Sequence, residues 1–145
     1  MHRRRGINAS SCTRRSALAL AMLPLLAPRT IAAPRGHREF IDAAFRMKEE
    51  AVRSGDQPFG AVVVAKDRRI VGFGPSRVVV RKDATAHAER EAIREAQARL
   101  GLDLRGCVLY STSRPCSNCE AAAAQAKIAR MFYGSEAADA GVPRG

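Results

Sequence analysis

The sequence predicts an α/β fold in which helices pack on both faces of a mixed β-sheet. Three observations lead to this prediction: apolar residues recur at helical spacing in three segments, short β-branched runs fall between them, and turn-forming residues separate the segments. Their order along the chain is helix, hairpin, helix, strand, helix, strand, which is typical of a mixed sheet covered by helices. The 145 residues suffice for one such domain.

The first part of this domain is predicted to hold one helix and a hairpin. Apolar residues at helical spacing indicate an amphipathic helix over residues 38–53. Two short β-branched runs at 60–65 and 70–73 are joined by a charged turn and therefore indicate a β-hairpin. Residues 77–80 are expected to continue in an extended conformation.

The second part alternates helices and strands. The pattern predicts a helix over 86–100, a strand over 106–111, a helix over 116–130 and a strand over 131–134. The last eleven residues show no periodicity, so the sequence predicts no complete strand or helix there to close a pocket. The alternating charges of the first of these helices predict a solvated face formed by Arg90, Glu91, Arg94 and Glu95.

The charge of the chain is unevenly distributed. The formal net charge is +11, but residues 1–33 contain six arginines and no acidic residue. The rest of the chain, with 19 basic and 14 acidic residues, carries only +5. Such a modest charge, without interleaved aromatic residues, argues against a nucleic-acid partner. No stretch approaches the ~20 apolar residues that a membrane span requires, so we expect no membrane partner.

Residues 1–33 have the layout of an export signal, and residues 34–145 form the predicted domain. A basic region ending in Arg14 and Arg15 precedes an apolar run at 17–27, and small residues surround Ala33. Adjacent arginines before a modestly apolar run resemble a twin-arginine signal, which predicts cleavage near Ala33 and a periplasmic protein. A basic tail that leaves the protein in the cytoplasm is the alternative.

Two short clusters carry the residues that predict chemistry. His87 and Glu89 lie at the start of one predicted helix, and Cys116 and Cys119 lie at the start of the next. One imidazole and two thiolates suit tetrahedral zinc, with the fourth position left to water. An open position is typical of a catalytic zinc, and Glu89, which the ligand count does not need, is the candidate proton carrier.

These clusters resemble the signature of the zinc-dependent nucleobase and nucleoside deaminases. The matching residues are Thr85, Ala86, His87, Ala88 and Glu89, followed by Pro115, Cys116 and Cys119. The resemblance covers about residues 40–134 and implies a cytidine deaminase-like fold: a three-layer α/β sandwich whose mixed central sheet is flanked by helices. It further implies hydrolytic deamination, in which water activated by zinc releases ammonia and Glu89 carries the protons.

Within this superfamily the chain is most similar to bacterial guanine deaminases and tRNA adenosine deaminases. The run Pro58, Phe59 and Gly60 favours guanine or a related purine as substrate. The resemblance also implies that Phe59 packs against the substrate ring and that the Ala88 backbone contacts the edge of that ring. It implies in addition that the subunits form a homodimer. Ser76 stands where relatives commonly place a base-contacting asparagine, and Arg114 stands where a glutamate usually precedes the proline.

Several alternatives remain open at the level of sequence. Deamination of adenosine in tRNA is the main alternative function. A non-catalytic zinc-binding module is another, and it would need a fourth protein ligand such as Cys107 or His37. A redox pair or a disulfide between Cys116 and Cys119 is the remaining explanation of the paired cysteines.

Overall fold

The computed structural model describes residues 36–145, so the predicted export signal lies outside the described residues. Three helices and five strands follow one another in this part of the chain. They are α1 (Arg38–Arg53), β1 (Gly60–Val64), β2 (Ile70–Pro75), α2 (Ala88–Leu100), β3 (Val108–Ser111), α3 (Ser117–Gln125), β4 (Arg130–Tyr133) and β5 (Ala138–Gly141). No helix among them is long and apolar enough to cross a membrane.

The five strands form one mixed sheet in the order β2-β1-β3-β4-β5. Strand β1 pairs antiparallel with both β2 and β3, β3 pairs parallel with β4, and β5 pairs antiparallel with β4. Because β2 and β3 both run against β1, they run in the same direction as each other. Their carboxyl ends therefore lie at the same edge of the sheet.

Alternating side chains of the central strands build two apolar cores. Val62 and Tyr110 face the first core, against Phe40 and Ile41 of α1. The second core lies on the opposite face, where strand residues meet α2 and the end of α3. Its strand and helix members include Ala61, Val63, Leu109, Met131, Ala92, Ala96 and Ala123. This arrangement of helix, sheet and helices confirms the three-layer sandwich, because side chains of one strand point alternately to its two faces.

Helix α2 packs so closely on β2 that only glycine fits beneath it. A Cβ atom on Gly74 would lie 2.0 Å from the carbonyl oxygen of Ala88. A Cβ atom on Gly72 would meet the carbonyl oxygen of Ala92 at the same distance. Both contacts are with helix backbone, which cannot rotate away as a side chain would. The two glycines thus allow the first turns of α2 to rest directly on the strand.

We expect Gly74→Ala to destabilise the protein by about 3 kcal/mol, since the added methyl group must push α2 off the sheet. The displaced backbone includes Ala88, so the pocket that this residue lines should change as well. Urea unfolding followed by circular dichroism measures the loss. Gly36→Ala is the control, because nothing lies within 4 Å of the added Cβ at that position. Equal stability of the two variants would contradict the close packing described.

Two predicted segments differ from the structure. Residues 78–82 form turns, so the predicted extended conformation of 77–80 is wrong. The predicted helix over 116–130 is too long, because α3 ends at Gln125 and Arg130 already belongs to β4. Lys127 adopts a positive φ of 60°, which breaks the helix after its alanine-rich stretch.

The chain also continues the sheet where the sequence predicted no regular structure. Strand β5 pairs with β4, and Arg130 forms an ion pair with Asp139 between these two strands. The four residues of β5, Ala138–Gly141, include no β-branched or aromatic side chain. Their strand conformation comes from pairing with β4, a tertiary contact that local propensity does not reveal.

Candidate active site

The predicted metal ligands lie at the starts of two helices. His87 is the N-cap residue of α2, and Cys116 is the N-cap residue of α3. Both have extended backbone conformations, and neither side chain caps its own helix with a hydrogen bond. The two helices follow the carboxyl ends of β2 and β3, which share one sheet edge. This edge is the usual position of binding sites in α/β folds.

The three ligand atoms are spaced as a zinc ion requires. His87 Nδ1 lies 3.7 Å from Cys116 Sγ and 3.5 Å from Cys119 Sγ. Usual zinc bond lengths in a tetrahedron place a nitrogen and a sulfur ligand about 3.6 Å apart. Nitrogen and thiolate donors are also the set that zinc prefers. The cluster therefore fits a zinc ion in both spacing and donor chemistry.

No fourth protein ligand completes this cluster among residues 36–145. The candidate ligand atoms of His87, Cys116 and Cys119 all lie within 4.8 Å of one another, and neither Cys107 nor His37 joins them. His37 is instead hydrogen-bonded to Tyr110 OH at 2.8 Å. Three ligands leave a coordination position for water, which is the arrangement of catalytic zinc sites.

The three candidate ligands differ in how far they are buried. Cys119 is fully buried, whereas Cys116 is exposed and His87 is half-buried. Burial raises the pKa of the Cys119 thiol, and the neighbouring Glu89 carboxylate raises it further. A bound zinc ion reverses this preference, since a coordinating thiol loses its proton to the metal. Without a metal ion, Cys119 is therefore a neutral thiol, and it becomes a thiolate only when it binds the metal.

Glu89 is a buried carboxyl group beside the ligands. It is 6% exposed, and its Oε2 accepts a hydrogen bond from Cys119 Sγ at 3.6 Å. Burial raises the pKa of Glu89, so the group holds a proton more readily than an exposed glutamate. A carboxyl group of this kind at the metal is suited to accept and return protons.

A pocket of about 160 Å³ opens onto these groups. Its lining consists of Gln57, Phe59, Ser76, His87, Ala88, Glu89, Ser113, Arg114 and Cys116. Six of the seven predicted site residues line it, and the seventh, Cys119, is buried with its Sγ 3.5 Å from His87 Nδ1. The pocket combines an aromatic ring with polar groups, as small-molecule sites do.

The three predicted substrate contacts occupy different parts of the pocket wall. Phe59 is 39% exposed, while Ala88 is buried at the start of α2. Ser76 is fully buried, and its hydroxyl donates a hydrogen bond of 2.8 Å to Asp56. Contact of these residues with a substrate remains a prediction.

Asp56 organises one wall of the pocket, and sequence reasoning did not identify it. Its Oδ1 accepts hydrogen bonds from Ser76 Oγ and the Gln57 N–H, and its Oδ2 accepts from the N–H groups of Val79 and Val80. Burial alone would raise the pKa of Asp56, but these hydrogen bonds outweigh it and hold the pKa below its usual value. The carboxylate therefore fixes the turn at 78–82 next to the pocket.

Asp56→Asn should lower the free energy of unfolding by roughly 2 kcal/mol, because an amide nitrogen replaces one carboxylate oxygen of a buried side chain and leaves N–H groups of the 78–82 turn without their acceptor. Since the folded-state pKa is depressed, the stabilisation is complete above about pH 5 and is lost progressively as pH falls from about 4 through the folded-state pKa. Urea unfolding at pH 7 and about pH 2.5 tests both statements. Asp67→Asn, which alters an exposed ion pair with Arg69, is the control. A difference from the wild type that does not shrink at about pH 2.5 would contradict this role of the carboxylate.

A third buried carboxylate corrects the prediction of a solvated face on α2. Glu91 is only 8% exposed and forms ion pairs with Arg81 and Arg94. Glu95 accepts a hydrogen bond of 2.7 Å from the Phe73 N–H in β2. The acidic side chains of α2 thus attach the helix to the 78–82 turn and to the sheet.

Comparison with known proteins agrees with this site. The family model described as "Cytidine and deoxycytidylate deaminase zinc-binding region" matches residues 34–135, and the chain belongs to this family. The matched range includes the three ligands and Glu89. Zinc is the cofactor of the family, and zinc-dependent hydrolytic deamination is its chemistry.

The similar proteins include a guanine deaminase and several tRNA-specific adenosine deaminases. The guanine deaminase of Bacillus subtilis is 41% identical over 106 residues, which cover 72% of this chain and 67% of that protein. The tRNA-specific adenosine deaminase of Aquifex aeolicus is 37% identical over 99 residues, covering 68% and 65%. The X-ray structure of the Bacillus subtilis guanine deaminase superimposes with a TM-score of 0.65 and 39% identity, covering 68% of this chain and 64% of the other. The chain thus spans about two thirds of the length of these relatives.

Proposed function

We propose that the protein is a zinc-dependent hydrolase that deaminates a free purine base, with guanine as the leading substrate. The observation that supports this most directly is the spacing of 3.5 and 3.7 Å between His87 Nδ1 and the two sulfurs, with Glu89 beside them in the same pocket. Guanine and water would give xanthine and ammonia.

The chain's residues divide the work of this reaction. His87, Cys116 and Cys119 would hold the zinc ion, which supplies a water of lowered pKa. Glu89 would accept a proton and pass it to the ring nitrogen next to the amine-bearing carbon. A second proton carried by Glu89 would let the amine leave as ammonia. Phe59 would pack on the ring, and Ala88 and Ser76 would shape its edge.

Four arguments favour a small free substrate over tRNA. The charge of +5 outside residues 1–33 is modest, whereas tRNA enzymes need a basic surface for phosphate contacts. The export signal proposed for residues 1–33 would remove the enzyme from its tRNA. The relative with 41% identity is a guanine deaminase. A free base also fits a pocket of this size with one aromatic wall.

Ammonia release from a panel of bases and nucleosides tests the proposal. We expect turnover of guanine or a related purine, with little change in rate between low and physiological salt. If the protein formed inosine in a tRNA anticodon stem-loop and left free bases unchanged, the proposed substrate would be wrong. The proposed zinc chemistry would still hold. Bound zinc without turnover of any compound would favour the non-catalytic zinc module.

We also propose that residues 1–33 direct export by the twin-arginine route and that residues 34–145 form the exported domain. Changing both Arg14 and Arg15 to lysine should leave uncleaved precursor inside the cell, because this route depends on the guanidinium pair and not on charge alone. Immunoblots of periplasmic and cytoplasmic fractions measure the outcome. Unchanged export would contradict the twin-arginine assignment and favour another route.

The homodimer implied by the family resemblance is a further part of the proposal. Val79 and Val80 on the 78–82 turn and Leu102 after α2 are exposed apolar side chains that a second subunit could cover. Light scattering of the purified domain across a range of concentrations measures its mass. A monomer at all concentrations would contradict the proposal.

A further inference from the structure

The lining of the pocket includes an arginine that the proposed mechanism does not use. Arg114 is exposed and lines the pocket together with Gln57 and Phe59. Its Cζ atom lies 5.8 Å from the centre of the Tyr133 ring, a cation–π contact that supports one side of its guanidinium group. Within residues 36–145, no carboxylate forms an ion pair with Arg114.

Local stability does not explain a cation at this place. Arg114 lies two residues before the N-cap of α3, where the helix dipole disfavours positive charge. It also lies beside a site built for a zinc cation. The carboxyl group in the pocket lining is Glu89, which is buried and assigned to proton transfer. The donors of the guanidinium are therefore available to a ligand in the pocket.

We infer that Arg114 is a specificity-determining residue that binds the carbonyl and ring-nitrogen edge of an oxopurine. This inference rests on the proposed function and narrows its substrate class. A guanidinium offers paired N–H donors and no acceptor, and it pairs in two-pronged fashion with O6 and N7 of guanine. No charge on the substrate is required.

The orientation of the base follows from ring chemistry. In guanine the amine is on C2, so C2 must face the metal ligands and Glu89. The ring atom opposite C2 is C5, and the groups that flank it on the outer edge are O6 and N7. This edge therefore points away from the metal, toward the pocket wall where Arg114 lies. An adenine ring that reacts at C6 has N3 opposite the reacting carbon, which leaves a single acceptor on that side.

Three purines that all carry a 2-amino group separate the two contacts. Guanine has both acceptors, 7-deazaguanine lacks N7, and 2-aminopurine lacks O6. We expect kcat/KM of the zinc-loaded enzyme to fall by about tenfold for each missing acceptor. Arg114→Ala should reduce kcat/KM for guanine by about a hundredfold and for each analogue, which keeps one acceptor, by about tenfold, so that the preference for guanine disappears. Arg114→Lys should restore only part of the preference, because an ammonium group cannot form the paired contact.

Arg105→Ala is the matched control, since it removes one positive charge from an exposed ion pair with Asp103 that does not line the pocket. It should leave the ranking of the three purines unchanged. Full rescue by Arg114→Lys, together with a rate that falls steeply with salt, would overturn the inference in favour of simple charge attraction. An unchanged ranking in Arg114→Ala would overturn it as well.

Binding measurements distinguish failure of this inference from failure of the proposed function. Calorimetry on zinc-loaded Glu89→Gln gives dissociation constants for the same purines without turnover. If Glu89→Gln binds guanine selectively and the added Arg114→Ala substitution removes that selectivity, the contact with Arg114 is supported even when the wild type releases no ammonia. Turnover of all three purines at equal efficiency would retain the deaminase and overturn the role of Arg114. Absence of both binding and turnover would overturn both proposals.

Discussion

Replacing Cys119 with serine is expected to reduce bound zinc from about one ion per chain to near zero and to eliminate measurable turnover. Three protein ligands leave no redundancy, and a buried serine hydroxyl does not replace a thiolate on zinc. Cys116→Ser and His87→Ala should have the same effect. Elemental analysis of protein expressed with added zinc measures the metal, and ammonia release measures the activity.

Cys107→Ala serves as the control for the loss of a buried thiol. Cys107 is free and buried but lies outside the cluster of three ligands, so this variant should retain its zinc. A wild-type protein without zinc, carrying a disulfide between Cys116 and Cys119 instead, would refute the metal site and restore the redox alternative.

Glu89→Gln is expected to retain zinc and fold while turnover falls by about 10²- to 10⁴-fold, the usual contribution of a positioned acid–base group. The amide has nearly the same shape as the carboxyl group but cannot carry a proton between water, ring and leaving amine. Steady-state rates and elemental analysis on the same sample separate loss of proton transfer from loss of metal.

Glu95→Gln is the matched control on the same helix. Glu95 binds the Phe73 N–H and does not line the pocket, so its amide variant should keep the wild-type rate. If Glu89→Gln turned over substrate as fast as the wild type, another group would have to carry the protons.

The site was more predictable from the sequence than parts of the fold. The residue types and their spacing determine which side chains can bind a metal ion. His87, Glu89, Cys116 and Cys119 could therefore be predicted as site residues from the sequence alone. The helix 38–53 was also predicted with its observed bounds, because its apolar face is strongly periodic. The cores on the two sheet faces then follow from the alternation in β1 and β3.

Other features depend on contacts between distant segments. Asp56 looked like part of a helix-ending turn, and its partners Ser76, Val79 and Val80 are 20 to 24 positions away. Glu91 looked exposed because its partner Arg81 is outside the helix. Strand β5 is stabilised by pairing with β4 and not by its own residues. Local patterns contain no information about such contacts.

The placement of the ligands on two separate helices makes zinc a cross-link as well as a reagent. His87 and Cys116 bracket a segment of about thirty residues that contains α2 and β3. A covalent bridge over a loop of that length stabilises a folded chain by roughly 3–4 kcal/mol through the entropy of the unfolded state. A zinc ion bound by both His87 and Cys116 would stabilise the folded chain in the same way. Chelation should therefore lower the melting temperature and expose the chain to proteases, so metal supply would control the lifetime of the protein as well as its activity.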